Sequence, residues 1–248
     1  VDASNTLGDT ALIWASRHGR SALVDQLIVS RANVNAANAN GDTALIWASN
    51  NGHSAVVGQL IVSGADVNHA SANGDTALIL ASDKGRSIVV DQLIAARADV
   101  NLANANGNTA LILASDKGRS IVVDQLIAAR ADVNHANANG DTALIWASSN
   151  GHSDVVGQLI AVGANVNHAS ANGSTALILA SSNGHSDVVD QLIAVGANVN
   201  HANANGDTAL ILASSNGHSD VVGQLIAVGA NVNHASANGS TALILASS

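Results

Sequence analysis

The chain has 248 residues, of which 47% are hydrophobic, and its formal net charge is −9. It contains no cysteine, which excludes disulfides, thiolate nucleophiles and cysteine-ligated zinc. All nine lysines and arginines precede residue 131, so residues 131–248 carry seven aspartates and no basic residue apart from histidines. Nucleic acid and anionic membranes are disfavoured as partners because phosphate binding needs a positive face. A basic protein fits the acidic half better, although the aspartates could serve solubility alone.

A threonine recurs every 33 residues along the chain. A fixed period of this length indicates a solenoid, in which each unit buries its apolar face against its neighbours. The period predicts a single array over residues 1–248, with the tail of a preceding unit at 1–4, seven full units at 5–37, 38–70, 71–103, 104–136, 137–169, 170–202 and 203–235, and a partial unit at 236–248. Because both ends fall inside a unit and Leu243 to Leu245 are as apolar as the interior copies, we expect a longer array or a covered last helix. Uncovered ends would also associate end to end.

The first half of each unit predicts a short helix that is buried on most sides. In the second unit, residues 43–49 are uncharged and lack the alternation of a strand. Thr43 is the expected N-cap, and Gly52 is the expected stop at the other end. Trp14, Trp47 and Trp146 replace leucines of this helix, so we expect them in the core or at the edge of a groove.

The second half of each unit predicts an amphipathic outer helix. Ser54 is the expected N-cap, and Val56, Val57, Leu60 and Ile61 form one apolar stripe. Gly64 ends the helix, and the stretch that follows it, rich in asparagine, glycine and alanine, predicts a turn between units. Residues 154, 187 and 220 are aspartates just inside the corresponding helices, where negative charge suits the helix dipole.

The period, G-x-T-A-L-x-x-A, Gly52-His53 and the segment 64–68 (G-A-D-V-N) together resemble the ankyrin repeat. The resemblance covers the whole chain and implies an all-α repeat solenoid of stacked helix-turn-helix units joined by β-turn fingers. Where the family has T-P-L-H, this chain has T-A-L-I, as at Thr43 to Ile46. Proline at the first helical position pre-sets the backbone, so its loss predicts a looser helix start. The isoleucine predicts additional apolar packing between neighbouring units.

The polar residues do not predict a catalytic or metal site. Equivalent histidines of stacked units lie about 8 to 10 Å apart, whereas zinc ligands lie about 2 Å from the metal. The histidine rows therefore predict a structural role, and Arg20, Arg86 and Arg119 replace one such row without evident compensation. No catalytic triad motif or phosphate-binding loop is present. We expect no enzyme activity and no cofactor.

The resemblance implies that the chain binds a partner protein on its concave face, which is made of finger tips and first helices. Carried over to this sequence, the candidate contact residues are Leu7, Arg17, His18, Asp42, Asn50, Asn51, Asp75, Asp83, Lys84, Asn108, Asp116 and Lys117. The distinctive groups among them are Leu7, Arg17, His18, Lys84 and Lys117, which places a specific site toward the N-terminal half. The resemblance also implies an intracellular protein.

Other interpretations stay open at this point. The chain could be a structural spacer or an assembly subunit of a larger complex, or the non-catalytic part of a longer protein whose activity lies in another domain. Its near-identical copies indicate recent duplication or an engineered consensus. Asn68, Asn101 and Asn134 each follow a leucine by eight residues and resemble the asparagine hydroxylation site of ankyrin repeats. The alternative is that these asparagines satisfy the backbone of a turn.

Overall fold

The computed structural model describes residues 1–246, in which fifteen α-helices and no β-strand are present. Each unit contributes a first helix and then an outer helix. The first helices are α1 (Ala11–Arg17), α3 (Ala44–Asn51), α5 (Ala77–Asp83), α7 (Ala110–Asp116), α9 (Ala143–Ser149), α11 (Ala176–Ser182), α13 (Ala209–Ser215) and α15 (Ala242–Ala246). The outer helices are α2 (Ser21–Val29), α4 (Ser54–Val62), α6 (Ser87–Ala95), α8 (Ser120–Ala128), α10 (Ser153–Ala161), α12 (Ser186–Ala194) and α14 (Ser219–Ala227). Repeated helix pairs without strands confirm the predicted all-α repeat solenoid.

The chain folds as two compact units. The first comprises residues 1–114 and 121–132, and the second comprises residues 115–120 and the chain from residue 133 onward. Within each, helices of the same kind pack side by side, as α1, α3 and α5 do in the first compact unit and α9, α11 and α13 do in the second. No helix within residues 1–246 is long and apolar enough to cross a membrane.

The first helices supply most of the core. Leu45, Ile46 and Ala48 of α3 are buried, and the equivalent residues of α5, α9, α11 and α13 are buried too. The Thr43 hydroxyl accepts a hydrogen bond from the backbone N–H of Ile46 at 3.3 Å, which confirms the predicted N-cap. Gly52 ends α3 in the left-handed region with φ +78°, as predicted. Isoleucine at the position of the family's histidine therefore packs inside the stack.

The outer helices are amphipathic, with Val56, Val57 and Leu60 of α4 buried and Val62 89% exposed. The prediction of Ser54 as N-cap is wrong. The cap residue is His53, with non-helical φ and ψ of −82° and 72°, and its side chain makes no capping hydrogen bond. The turn between the helices consists of the left-handed Gly52 and this one further residue, so the chain is already helical at Ser54.

The segments between units form the predicted β-turn fingers. In the second finger, the Asn38 side-chain oxygen accepts the backbone N–H groups of Asn40 and Asp42 at 3.0 and 2.9 Å. The Ala72 N–H then donates to the Asn40 carbonyl at 2.9 Å, which joins this finger to the next. Gly41 has φ +76°, and a Cβ there would lie 2.8 Å from the Ala72 nitrogen. Glycine is therefore required at this position for both its backbone angle and its contact.

The partial unit at the end of the sequence reaches the edge of the described region. Leu243 and Ile244 of α15 are exposed, 78% and 56% respectively. Leu243 lines an apolar cavity of about 300 Å³ in the second compact unit, together with Leu210, Val222 and Ile226. The last two residues assigned to this unit, Ser247 and Ser248, lie outside the described residues.

Candidate functional site

The candidate contact residues lie at two places in each of the first four units, the finger and the C-terminal end of the first helix. Leu7, Arg17, His18, Lys84 and Lys117 are exposed, and the remaining seven are half-buried. All of them belong to the first compact unit except Asp116 and Lys117, which belong to the second. The distinctive cationic and apolar candidates are therefore also the most accessible ones.

Aromatic and cationic side chains cluster on the first helices of the first two units, α1 and α3. The Arg17 guanidinium lies over the Trp47 ring, 3.8 Å from its centroid. The rings of Trp14 and His18 stack with centroids 4.3 Å apart, and His18 Nδ1 donates to the Trp14 carbonyl at 2.8 Å. Trp14 is 48% exposed and Trp47 is half-buried. We call Trp14, Arg17, His18 and Trp47 the aromatic cluster.

The two tryptophans of this cluster were missed as candidate contacts by the sequence analysis, which assigned them to the core or a groove edge. Trp47 and Trp146 are half-buried, as are Leu80, Leu113, Leu179 and Leu212 at the same position of other units, whereas Trp14 is exposed. The sequence does contain an indication of their exposure. The fourth residue of the first helix varies between leucine and tryptophan, while the residues on either side of it stay constant. A position that tolerates such a change in volume lies outside the close-packed core.

Asn51, another candidate contact residue, serves the stack itself. Its Nδ2 donates to the Arg17 carbonyl at 3.0 Å, and His53 Nε2 donates to the same oxygen at 3.1 Å. Because a carbonyl only accepts, the Nε2 atom of His53 must carry the proton. Asn183 and His185 repeat this arrangement on the Ser149 carbonyl at 2.7 and 3.0 Å. The side chains of one unit therefore cap the first helix of the unit before it.

Arginine replaces histidine in this cap with a compensation that the sequence analysis did not anticipate. Arg86 Nε donates to the Asn50 carbonyl at 3.4 Å, which is the equivalent of the His53 bond to Arg17. The Arg86 stem crosses Gly52, where an added Cβ would lie 2.8 Å from Arg86 Cδ. The expectation of an uncompensated replacement is therefore wrong for Arg86.

The two exposed lysines each pair with the preceding aspartate. Lys84 Nζ lies 2.7 Å from Asp83 Oδ2, and Lys117 Nζ lies 2.8 Å from Asp116 Oδ2. Both lysine side chains remain about half exposed, at 49% and 50%. Exposed pairs of this kind contribute little stability, so these charges stay accessible to a partner.

The finger carboxylates occupy two different environments. Asp75 Oδ1 accepts a hydrogen bond from Asn104 Nδ2 of the next finger at 2.9 Å. For Asp42 and Asp141, the residue at the position of Asn104 in the next finger is a serine, Ser71 and Ser170 respectively. Burial raises the pKa of both carboxyls above the ordinary value of 3.8. Hydrogen bonding from Asn38 opposes the rise in the pKa of Asp42, and the charge of His168 opposes it at Asp141.

The three asparagines that resemble hydroxylation sites are exposed, and each side chain is hydrogen-bonded. The Oδ1 atoms of Asn68 and Asn101 accept the backbone N–H groups of Asp99 and Asp132, each at 2.8 Å, and Asn134 Oδ1 accepts that of Asn165 at the same distance. Each asparagine therefore joins one turn to the next, as the turn-satisfying alternative requires.

Four further histidines also bind the backbone of the preceding unit. The Nε2 atoms of His69, His168, His201 and His234 lie 2.9 to 3.0 Å from the carbonyl oxygens of glycines in the preceding finger. Within residues 1–246, no three histidine, aspartate or glutamate side chains are grouped to hold a metal ion. The hydrogen bonds account for the histidine rows as part of the repeat.

Comparison with known proteins gives matches that extend along the chain. A family model described as ankyrin repeats (3 copies) matches residues 1–71, 50–137, 121–203 and 177–248. The crystal structure of the human ASB11 ankyrin repeat domain is similar to this chain, with a TM-score of 0.80 and 28% sequence identity. That match covers 90% of this chain and 99% of the other. No curated protein sequence matches the chain.

Proposed function

Because the chain belongs to the ankyrin-repeat family, we propose that it is a non-catalytic scaffold that binds a partner protein on the concave face of its repeats. Ankyrin repeats are generally protein–protein interaction modules, and their fold is typically non-catalytic. The concave face comprises the finger tips and the first helices. The candidate contact residues named above belong to it.

The observation that carries this proposal is the aromatic cluster. Tryptophan and arginine are the residue types most enriched at interface hot spots. The Arg17 guanidinium is already held 3.8 Å above the Trp47 ring, so less side-chain entropy is lost when a partner binds. Exposed Leu7, on the finger of the same unit, adds apolar surface.

Purification of the partner on the immobilised chain, followed by affinity measurements with variants, tests this proposal. We expect Arg17→Ala and Trp47→Leu each to weaken binding by about 2 kcal/mol, as hot-spot truncations do. Leucine is the chain's own residue at this position in Leu80 and Leu179, so the fold tolerates it. Val62→Ala, on the outer helix, is the control, and an equal loss of affinity in that variant would contradict the proposal.

A second comparison concerns the position of the contact along the chain. We expect replacement of Lys84 and Lys117 by alanine to lower the affinity for the partner more than replacement of Asn183 and Asn216 by alanine does. Asn183 and Asn216 donate to the carbonyls of Ser149 and Ser182, so thermal stability must be measured alongside affinity. Equal losses of affinity in equally stable variants would place the contact elsewhere.

Hydroxylation of Asn68, Asn101 and Asn134 remains a separate proposal. Their exposure supports it, whereas the hydrogen bonds of their Oδ1 atoms supply the competing structural role. Mass spectrometry of peptides from native material gives the answer, because hydroxylation adds one oxygen to the asparagine. Unmodified peptides at all three positions would reject it.

A further inference from the structure

The basic residues of this acidic chain occupy few places in the repeat. Six of the nine lie at the turn between the first and the outer helix, and three follow the outer helix. The first set is Arg17, Arg20, Lys84, Arg86, Lys117 and Arg119, and the second is Arg31, Arg97 and Arg130. We call residues 83–88, together with the neighbouring turn at 50–55 and Ile121 of the next unit, the hairpin edge. The hairpin edge carries the cations Lys84 and Arg86, although the chain as a whole has a net charge of −9.

Arg86 is held in one position on the hairpin edge. Its stem lies against Gly52, and its Nε donates to the Asn50 carbonyl. The side chain is nevertheless exposed, and within residues 1–246 no carboxylate forms an ion pair with it. A guanidinium that is already oriented binds a carboxylate with a smaller loss of entropy than a mobile one.

An isoleucine lies close to Arg86, at a position where other units have alanine or aspartate. Ile88 is the second residue of α6 and is 66% exposed. The same position holds alanine in Ala22 and Ala55 and aspartate in Asp154, Asp187 and Asp220, so the helix forms without it. Ile88 and Arg86 line one open groove of about 180 Å³, together with Gly52 and Ser54. The edge therefore combines an oriented cation with an accessible aliphatic side chain.

A second isoleucine extends this apolar surface. Ile121, at the equivalent position of α8, is also 66% exposed. Gln125 of α8 donates its Nε2 to the Ser87 carbonyl of α6 at 3.1 Å, which holds the two helices side by side. Packed helices lie about 8 to 10 Å apart, and this spacing suits two side chains of one extended segment.

We propose that the hairpin edge binds an acidic segment of a partner protein, with a carboxylate on Arg86 and aliphatic side chains on Ile88 and Ile121. Charge complementarity argues for an acidic partner, and exposed isoleucines argue for a protein, because nucleic acid binding uses basic and aromatic groups. The inference rests on the proposed protein-binding function but concerns a surface other than the concave face. Asparagine, histidine and aspartate at the equivalent positions of the fifth to seventh units make those units a poor match for the same segment.

The test exchanges residues that the chain already uses at equivalent positions. One variant carries Lys84→Asn, Arg86→His and Ile88→Asp, with the same exchange at Lys117, Arg119 and Ile121, because K-G-R-S-I recurs at 117–121. The new histidine retains a donor for the Asn50 carbonyl, as His53 does for Arg17. The probe is a short fluorescein-labelled peptide of glutamate and leucine, and fluorescence anisotropy gives its Kd. We expect the Kd to rise at least about tenfold, because the variant loses the charge pair between Arg86 and the peptide carboxylate and also the apolar contacts of the isoleucines.

A reciprocal graft and two further probes complete the experiment. Adding Asn183→Lys, His185→Arg, Asp187→Ile and Asp220→Ile to the exchanged variant should restore binding in the second compact unit, because Asp187 and Asp220 are the equivalents of Ile88 and Ile121. Trp47→Leu, on the concave face, should leave the peptide Kd unchanged, so failure of this inference can be distinguished from failure of the concave-face proposal. An unchanged Kd in the exchanged variant, no binding by the wild type, equal binding of a peptide of glutamate alone, or tighter binding of a single-stranded oligonucleotide would each overturn the proposal.

Discussion

Many residues in this chain find their hydrogen-bond partners in the unit that follows or precedes their own. The Arg17 carbonyl accepts hydrogen bonds from Asn51 and His53, and the glycine between these two permits the turn that brings both to it. The end of a helix leaves carbonyl groups unpaired, and here the neighbouring unit supplies the donors. The finger carboxylates also differ in what the next finger offers them. Asp75 accepts a hydrogen bond from the Asn104 amide, whereas Asp42 and Asp141 have a serine at that position.

Asp141→Asn should raise the melting temperature at pH 7. Burial raises the pKa of Asp141, so the folded state favours the protonated carboxyl. Its stabilising contribution is fully present below the ordinary pKa of 3.8 and is lost as the pH rises through the folded pKa. Asparagine, which the chain uses here as Asn108, stays neutral at every pH. The difference between variant and wild type should shrink toward pH 3, and a variant that melts lower at pH 7 would contradict this account.

Two glycines of the fifth unit should respond to alanine in opposite directions. Gly157 lies inside α10, and a Cβ there would make ordinary contact, 3.8 Å from Gln191. Gly157→Ala should therefore raise stability by about 0.8 to 1 kcal/mol. Gly151 has φ +73°, and a Cβ there would lie 2.6 Å from the His185 ring. Gly151→Ala should lower stability by at least about 1 kcal/mol in urea titration, and a gain would show that the His185 ring moves freely.

At the scale of the helices, the units differ most at the end of the outer helix. Arg31, Arg97 and Arg130 have φ of 63° to 65°, whereas the equivalent Gly64, Gly163, Gly196 and Gly229 have φ of 85° to 90°. A left-handed conformation costs a residue with a side chain about 1 kcal/mol or more, and a positive charge near the helix C-terminus offsets only part of that. These arginines carry strain that four other units avoid.

Arg97→Gly should stabilise the chain by about 0.5 to 1 kcal/mol. The glycine removes the left-handed strain, and the loss of charge at the end of α6 costs a few tenths of a kcal/mol. Gly196→Arg is the reverse change, in an open position where no atom lies within 4 Å of an added Cβ. It should destabilise by a similar amount. Thermal and urea unfolding of both variants check the prediction, and the same sign for both would contradict it.

The helices and fingers could be predicted from the sequence because their cause is local. Thr43 before an apolar run and the spacing of Val56, Val57 and Leu60 define helices without knowledge of neighbours, and both predictions are confirmed. The wrong predictions involve other units. Ser54 was assigned a capping role because the sequence does not show that His53, whose ring bonds to Arg17, already ends the turn. The stacking of Arg17 on Trp47 and the bond of Arg86 to Asn50 likewise depend on residues about one period away.

At the scale of the whole molecule, stability is distributed along the chain. Fingers, outer helices and most of the histidines bond to the adjacent unit, at separations such as the 38 residues between Gln92 and Ser54. In such arrays stability is approximately a sum of terms for each unit and for each pair of neighbours. A whole unit can therefore be removed without loss of the fold, provided that the two residues joined by the deletion already follow one another elsewhere in the chain.

Deletion of residues 170–202 should leave a folded chain. It joins Ala169 to Asn203, the same residue pair as Ala136 and Asn137. The mean residue ellipticity should be unchanged, and the urea m-value should fall by roughly one seventh, in proportion to the surface exposed on unfolding. Deletion of residues 170–185 alone removes a first helix and leaves its outer helix without a partner. If the chain with that shorter deletion still folds and unfolds cooperatively, the first helix and its outer helix do not form a single structural unit.

The bond between the Ala72 N–H and the Asn40 carbonyl has a consequence for the gene as well as for the fold. Fingers farther along the chain present the same acceptor to the next finger, as Asn139 does to Ala171 and Asn205 does to Ala237. Unequal crossing-over between any two copies, in register, therefore encodes a product whose backbone donors and acceptors still match. Out-of-register exchange does not. Alleles of this gene should differ in length by multiples of 99 base pairs, the coding length of the 33-residue period that separates Thr43 from Thr76.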